Sequence, residues 1–400
     1  MKNILFIGCL YSDADKEKFS SYSKRGFQFA AQNFQEALLK GFLENDVRPF
    51  VVTVPALSTF PGGYRCPIVK GSEYILSGQD LGRSIGFVNI PFLNTCFCGL
   101  DSIVHRWSSA QQREKYVVVY GAHSHLMEAA VKLKGKEDNV KLCLIVPDLP
   151  KYMACNKLYR KLGLKERDLR RIDKMLPKFD AVVVLASPMI AELGFTNRPN
   201  ITVEGIYSGD GLSISHQKMN KGQKVILYTG GLAMRYGIGD LIDAFMLIDN
   251  PNYRLWLCGT GDAVPYIKEC ALKDNRIEYK GVVPKTVSAN YQLEATLLVN
   301  PRHSKEVFTQ YSFPSKTMEY LASGTPAVMC HLECIPPEYD EHLYYFEDES
   351  VEGMARKMQE ICSLDEEALA TKGQDARAFI LREKNAKTQT KKILDLLENI

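Results

Sequence analysis

Three observations in the sequence predict an α/β protein built from two parallel-sheet domains. Short apolar, β-branched runs alternate with amphipathic helical stretches along the whole chain, the pattern of parallel strands joined by crossover helices. The runs are apolar throughout rather than at every second residue, as strands covered on both faces are. The length of 400 residues exceeds what one ordinary core accommodates. A hydrophobic content of 46% with 24% charged residues belongs to a folded globular chain and excludes a disordered one.

The elements follow in order. In the first half, strands are expected at 4–7, 49–54, 116–120, 141–146 and 181–185. The first strand runs into a long polar loop, 9–24, then Gly26 and a helix through Phe42. In the second half, strands are expected at 225–229, 254–258, 277–279, 297–300 and 327–329. Between them the chain becomes polar and glycine-containing, so a linker is placed at 206–223. This gives a Rossmann-like domain at 1–205, a second at 224–384, and a terminal helix at 385–400 with Ile393, Leu394, Leu396 and Leu397 on a charged background.

The formal net charge of +3 hides an asymmetry. Residues 1–200 carry 28 Lys/Arg against 19 Asp/Glu, a balance of +9, and the rest is −6. Much of the basic excess lies in 157–178, where Lys157, Arg160, Lys161, Lys165, Arg167, Arg170, Arg171, Lys174 and Lys178 interleave with leucines and Ile172. Two readings fit: a helical surface lying on an anionic membrane, or a solvated helix face. The 11 cysteines are scattered without a C-x-x-C pair, which argues against a zinc or thioredoxin-like motif and for a reducing, cytoplasmic compartment. No run approaches the roughly 20 apolar residues of a membrane span, and the apolar 4–9 stretch is too short for a signal peptide. No nucleic-acid partner is expected.

Glycines and cations mark a phosphate site in the second domain. In K-V-I-L-Y-T-G-G-L-A-M-R-Y-G, Gly230 and Gly231 remove side chains where backbone N–H groups can approach a phosphate, and Arg235 offers a cation. A second strand ends in Gly259 and Gly261, with Asp262 placed to cap the next helix. Arg302, His303, Lys305 and Lys316 give four cations near a diphosphate, and Arg302 is preferred because a guanidinium can bond two phosphate oxygens at once. From Tyr311 the chain reads Y-S-F-P-S-K-T-M-E-Y-L-A-S-G-T-P-A-V. Pro314 suits the first turn of a helix, Met318, Leu321 and Ala322 repeat at helical spacing, and Gly324 stops it before Pro326. A helix starting beside a strand end favours an anion there, and Glu319, one turn in, suits a ribose diol.

This stretch resembles the donor-site helix of the retaining glycosyltransferases of family 4, which have the GT-B fold. In the resemblance Glu319 matches the second glutamate of the family pattern, Phe313 the aromatic of its turn, and S-G-T-P the segment after the helix, with Pro314, Ser315 and Lys316 opening it. The family's first glutamate is missing: Tyr311 stands there, with Glu306 as an alternative substitute. The S-F-P-S-K-x-x-E-Y-L-A-S-G-x-P wording resembles a bacterial polysaccharide sub-group that also lacks it. The glycine turn resembles the family's diphosphate loop, with Gly231 in place of its arginine and Tyr236 in place of its lysine. The resemblance also implies main-chain contact with the nucleobase at Val283, Pro284 and Lys285.

For the first domain the resemblance implies an acceptor site. His123 in V-V-V-Y-G-A-H-S-H, or else His125, would touch the donor sugar, with helix capping or packing as the other reading. Asp148 would bind an acceptor hydroxyl or act as base, unless it only caps a turn, and Lys24 and Arg25 would meet an anionic acceptor or stay solvated. The expected fold has the two domains facing each other across a cleft, with the C-terminal helix crossing back to the first. The expected reaction moves a sugar from a nucleotide diphosphate sugar to a hydroxyl of an oligosaccharide or lipid-linked acceptor, with retention and without a metal or other cofactor. A sugar-nucleotide epimerase or hydrolase, or a binding protein that has lost catalysis, are the alternatives.

Overall fold

A computed structural model describes residues 3–24, 29–91, 93, 99–153, 157–209 and 222–400. Most of the expected linker, together with Arg25 and Gly26, lies outside the described residues. The chain forms two compact units, one of residues 1–208 with 386–400 and one of residues 209–385.

The first unit contains β1 (Asn3–Gly8), α1 (Asp13–Tyr22), α2 (Phe29–Glu44), β2 (Phe50–Thr53), β3 (Ile68–Val69), β4 (Ser72–Leu76), β5 (Gln79–Ser84), β6 (Phe87–Val88), α3 (Leu100–Ser109), β7 (Lys115–Tyr120), α4 (Ser124–Lys134), β8 (Val140–Val146), α5 (Lys157–Lys161), α6 (Leu164–Met175), β9 (Ala181–Val184), α7 (Met189–Glu192) and β10 (Asn200–Thr202). Its main sheet has the order β10-β9-β8-β7-β1-β2-β5-β4, parallel except for the antiparallel β4 at the edge. The five strands expected here are present. Two features differ from expectation. The polar loop 9–24 contains α1, whose inward side is only Asp15 and Phe19, too little to write a helical period into the sequence. The β4–β5 hairpin turns on Ser77 and Gly78, both at positive φ (51° and 78°), the geometry of a primed turn.

The second unit contains β11 (Lys224–Gly231), α8 (Ile238–Met246), β12 (Tyr253–Thr260), α9 (Val264–Lys273), β13 (Ile277–Gly281), α10 (Lys285–Glu294), β14 (Leu297–Asn300), α11 (Lys316–Ser323), β15 (Ala327–Cys330), β16 (Tyr344–Phe346), α12 (Val351–Ser363) and α13 (Glu366–Glu383). Its sheet is parallel throughout, in the order β13-β12-β11-β14-β15-β16. Both faces are covered, so β11, β14 and β15 are buried through their middles, as their unbroken apolar runs require.

The last helix, α14 (Ala386–Glu398), belongs to the first unit. Ile393, Leu394 and Leu397 join the core made by Phe6, Leu38, Phe42 and Val118. Each fully buried aliphatic side chain there is worth about 1.5–3 kcal/mol. Gly41 permits the close approach of α2 and α14: a Cβ there would stand 2.1 Å from Thr390 Oγ1 and 2.2 Å from the Ala386 carbonyl.

Candidate functional site

Open parallel sheets bind ligands beyond the carboxyl ends of their strands, where successive connections leave in opposite directions. In the second unit the chain runs from β11 outward to β12 and β13, then returns to place β14 on the other side of β11. The opening is therefore between β11 and β14, and the sequence puts Gly230 and Gly231 at the end of one strand and Arg302 just beyond the other.

These residues meet at Tyr236. Arg235 and Arg302 hold their guanidinium carbons 5.1 and 4.9 Å from its ring centre, and Arg235 also donates to its hydroxyl at 3.3 Å. Gly231 faces the same ring: a Cβ there would lie 3.5 Å from Cε2. Arg302 donates to the Ser312 carbonyl, tying its loop to the segment that opens α11. Burial, together with neighbouring Arg235, presses the Arg302 guanidinium below its usual range, while Tyr236 and Tyr228 act in the opposite sense. Two guanidiniums around one aromatic ring make a region where an anion is electrostatically favoured.

The glycine turn is held from beneath. Tyr228 donates to the Gly231 carbonyl at 2.9 Å, and Tyr279 to the Gly259 carbonyl at 3.0 Å. Gly259 has φ of 138°, and a Cβ there would fall 1.8 Å from the Gly230 carbonyl, so the two strand ends approach only because position 259 has no side chain. Asp262 does not cap the following helix. Its carboxylate accepts from the Met234 N–H at 2.9 Å and so closes the loop after β11, leaving Ala263 as the N-cap of α9.

The helix after the motif is α11, and its N-terminus has no side-chain cap. Ser315 is the N-cap, so Pro314 precedes the helix and offers its carbonyl to the Thr317 N–H rather than filling the first turn. Phe313 is buried and packs on Tyr339 with ring centres 5.6 Å apart, an anchor rather than an exposed contact. Lys316 and Glu319 pair at 2.6 Å, one turn apart, each with a little over a third of its side chain exposed. Gly324 at φ 81° ends the helix, and Arg377 donates to the Ala322 carbonyl. Tyr320, which the sequence reading did not single out, points inward and bonds Thr229 of β11.

Of the four cations expected near the diphosphate, His303 is turned elsewhere. Its Nε2 lies 2.5 Å from Asp240 and its Nδ1 3.3 Å from Glu349, because the loop after β14 folds against α8 on that side. Lys305 and Glu306 are exposed. Tyr311 is half-buried in the turn before α11. Val283 and Pro284 lie between β13 and α10, with Pro284 as the N-cap, and Lys285 is the first residue of the helix; Pro284 and Lys285 are exposed.

The first unit has the same topology: β1 leads to β2 on one side and β7 lies on the other, so the opening is between β1 and β7. His123 stands just past β7 as the N-cap of α4 and makes no side-chain capping bond. Gly121, at φ 82°, makes room for it, since a Cβ there would lie 2.8 Å from the imidazole. The ring stacks on His125 at 5.9 Å. Burial holds both histidines below the usual imidazole range, His125 at about 3 with His123 and Arg171 adding to the effect. For His123, Asp168 works against burial while Lys165 adds to it. Asp148 follows β8 and keeps an exposed side chain, yet the desolvation of its surroundings raises its carboxyl above the usual range. Lys24 donates to the Pro61 carbonyl.

The basic region is two helices, α5 and α6, broken at Gly163 in the left-handed conformation. Ile172, Met175 and Leu176 are buried, and Asp168 accepts from Ser124 Oγ at 2.5 Å, so α6 packs on α4. The apolar side of α6 covers the protein's own core while Leu162, between the two helices, is exposed, and the outward face of α6 is the charged one, with Arg167, Arg170 and Lys174 exposed. Among the described residues, no helix is long and apolar enough to cross a membrane.

Residues 223–363 match the family model described as glycosyl transferases group 1. No curated protein matches the chain. Among solved structures the chain is similar to HepE from Anabaena in complex with UDP, at 13% identity over 100% of both chains with a TM-score of 0.65. It is also similar to sucrose-phosphate synthase from Thermosynechococcus elongatus, at 15% identity over 99% of this chain and 98% of that one with a TM-score of 0.59. A third is TarM of S. aureus, a variant solved with fondaparinux, alpha-GlcNAc-glycerol and UDP, at 11% identity over 99% of both chains with a TM-score of 0.58. At these identities the likeness is one of fold: the chain has the GT-B fold, with two Rossmann-like domains.

Proposed function

We propose that this chain is a retaining glycosyltransferase of the family 4 type, moving a sugar from a nucleotide diphosphate donor to a hydroxyl of a saccharide or lipid-linked acceptor. The observation that carries the reading is the convergence of Gly231, Arg235 and Arg302 on Tyr236 at the β11–β14 opening, inside the segment that matches the glycosyl transferase model. The two guanidiniums and the uncapped N-terminus of α11 suit a leaving diphosphate, which must gain negative charge as the bond to the sugar breaks. Glu319 is the acceptor for a ribose diol, and Lys316, now paired with it, reaches the phosphate when the nucleotide occupies the carboxylate. Val283, Pro284 and Lys285 lie beyond β13 as the main-chain contact for the base.

In this reading the anomeric carbon–oxygen bond to the diphosphate breaks, the acceptor oxygen bonds to the same face, and its proton passes to the departing phosphate oxygen. Stabilising the leaving group is then the main task, and neither a metal nor a protein nucleophile is required. His123 contacts the donor sugar as a neutral imidazole, and Asp148 holds the acceptor hydroxyl. The exposed basic face of α6 supports a purely electrostatic contact with an anionic membrane carrying a lipid-linked acceptor, as bacterial polysaccharide synthesis at the cytoplasmic face requires.

The test is calorimetric titration of the full chain with UDP, GDP, dTDP and CDP in the absence of metal. Selective micromolar binding of one nucleotide, lost in Glu319→Ala without loss of folding stability, is the expected result. No binding to any of the four would overturn the donor site. Binding without transfer to any acceptor would instead favour the inactive binding protein, the reading that Tyr311 in place of a carboxylate supports.

A further inference from the structure

We propose that His303, Cys330 and Glu349 bind one divalent ion of the zinc class, with Asp240 orienting the histidine. The three residues come from the loop after β14, the last position of β15, and the segment leading to α12. One donor atom of each lies within 4.8 Å of the other two. They are spread over 46 residues of sequence with no shared motif, which is why no spacing rule finds them.

The closeness of an imidazole, a thiol and a carboxylate carries the proposal, and the neighbours of the histidine and the glutamate fit it. Asp240 sits 2.5 Å from Nε2 and can only accept when ionised, so the ring proton resides there. Nδ1 lies 3.3 Å from Glu349 Oε2, a separation that one metal ion bonded to both atoms would span. A zinc ion bonded at about 2.0 Å to a nitrogen and to an oxygen in tetrahedral geometry separates the two by about 3.3 Å. The carboxylate–imidazole–metal relay is the usual way a protein orients a histidine ligand. Glu349 is oriented in turn by the Ser304 N–H, which reaches both carboxylate oxygens, at 3.1 and 3.3 Å.

Cys330 supplies the third donor. It is buried, whereas about a quarter of the His303 side chain and a fifth of that of Glu349 are exposed, so the fourth position faces water. Imidazole, thiolate and carboxylate together suit zinc rather than magnesium or calcium, which take oxygen donors. Binding releases the thiol proton to solvent, and the thiolate pair forms the sulfur–metal bond. The ion would join the 301–304 segment to β15 and to the start of α12, making it a structural support for the neighbouring Arg302. It takes no part in the proposed transfer and does not depend on that reading.

The experiment strips the full chain with a chelator and titrates it with zinc and, separately, with cobalt(II). One equivalent is expected to bind, raising the thermal midpoint by several degrees and giving cobalt the intense absorption of a tetrahedral site with a thiolate ligand. Cys330→Ser should abolish the thiolate-to-cobalt band, Cys362→Ser should keep it, and Glu349→Gln should weaken binding at least tenfold. Absence of the band, its survival in Cys330→Ser, or a zinc-insensitive midpoint would overturn the site and leave an imidazolium bridging two carboxylates. If Cys330→Ser does not fold, His303→Gln decides the question by the same titration. UDP binding, followed in parallel, separates a failure here from a failure of the donor site.

Discussion

The hydroxyl of Tyr320 accepts from the backbone N–H of Thr229 at 2.9 Å and donates to the carbonyl of the same residue at 3.1 Å. Thr229 needs such a partner. On that side β11 pairs with β14 only at Ile226 and Leu227, so the last residues of β11 have lost their neighbour. The phenol takes over where the strands part and ties α11 to the strand whose end makes the glycine turn. Opening the sheet for a ligand and fixing the helix that would bind it are thus one arrangement.

Tyr320→Phe should therefore cost more than a surface hydrogen bond. The ring still fills its site, but two buried backbone groups are left without the phenol, a loss of about 1–3 kcal/mol each at most. Denaturant unfolding should show a fall of a few kcal/mol in stability, and nucleotide affinity should fall with it as α11 loses its register on β11. An unchanged denaturation midpoint would show that the pair is unimportant.

Gly259→Ala tests the contact between the two strand ends. The added Cβ would collide with the Gly230 carbonyl at 1.8 Å, and the backbone there is at positive φ. Strain and displaced backbone predict a loss of more than about 2 kcal/mol, or a chain that does not fold. Gly62→Ala, where nothing lies within 4 Å, is the control and should be near neutral. Equal thermal midpoints for the two variants would contradict the packing.

Much of this was legible in the residues, for definite reasons. Strands covered on both faces announce themselves as unbroken apolar runs, and all ten expected strands are present. Gly324 and the helix before it were legible because local backbone geometry demands them. Where a residue's role depends on a partner far along the chain, the sequence is silent. Tyr320 reads as one more helical aromatic until Thr229, 91 residues earlier, lies beside it. Asp262 looks like a helix cap and serves another loop, and His303 looks like a phosphate cation until two carboxylates claim it. α1 was missed because it buries only Asp15 and Phe19, and the β4–β5 edge because its core residues, Tyr74, Leu76 and Leu81, are few and lie in a mostly polar stretch.

Arg302 and Tyr236 make a graded prediction for nucleotide binding. Arg302→Lys keeps a charge but loses the planar fork that bonds two phosphate oxygens and stacks on the ring. Affinity for the preferred nucleotide should fall about tenfold or more, equivalent to about 1.4 kcal/mol. Tyr236→Leu removes the surface that both guanidiniums share and should cost about 0.5–2 kcal/mol of affinity, with a smaller effect on folding. Calorimetric titration of both variants checks the order, and wild-type affinity in Arg302→Lys would remove this residue from the site.

The paired histidines of the first unit predict a particular pH dependence of stability. Burial holds His125 neutral in the folded chain down to about 3 and lowers His123 as well, whereas the unfolded chain protonates both near the ordinary imidazole value. Below about pH 6.5 the unfolded state therefore binds more protons, so stability is full above that pH and falls as the pH drops from 6.5 toward 3. The slope for His125 alone is at most about 1.4 kcal/mol per pH unit, and Asp168 moderates that of its neighbour. His125→Asn removes one titrating group while keeping a polar side chain of similar shape. Between pH 6.5 and 5, where carboxylates contribute little, the variant's denaturation midpoint should decline less steeply than that of the wild type. Parallel declines would mean that the imidazole protonates in place and that the stacked pair opens to water without cost.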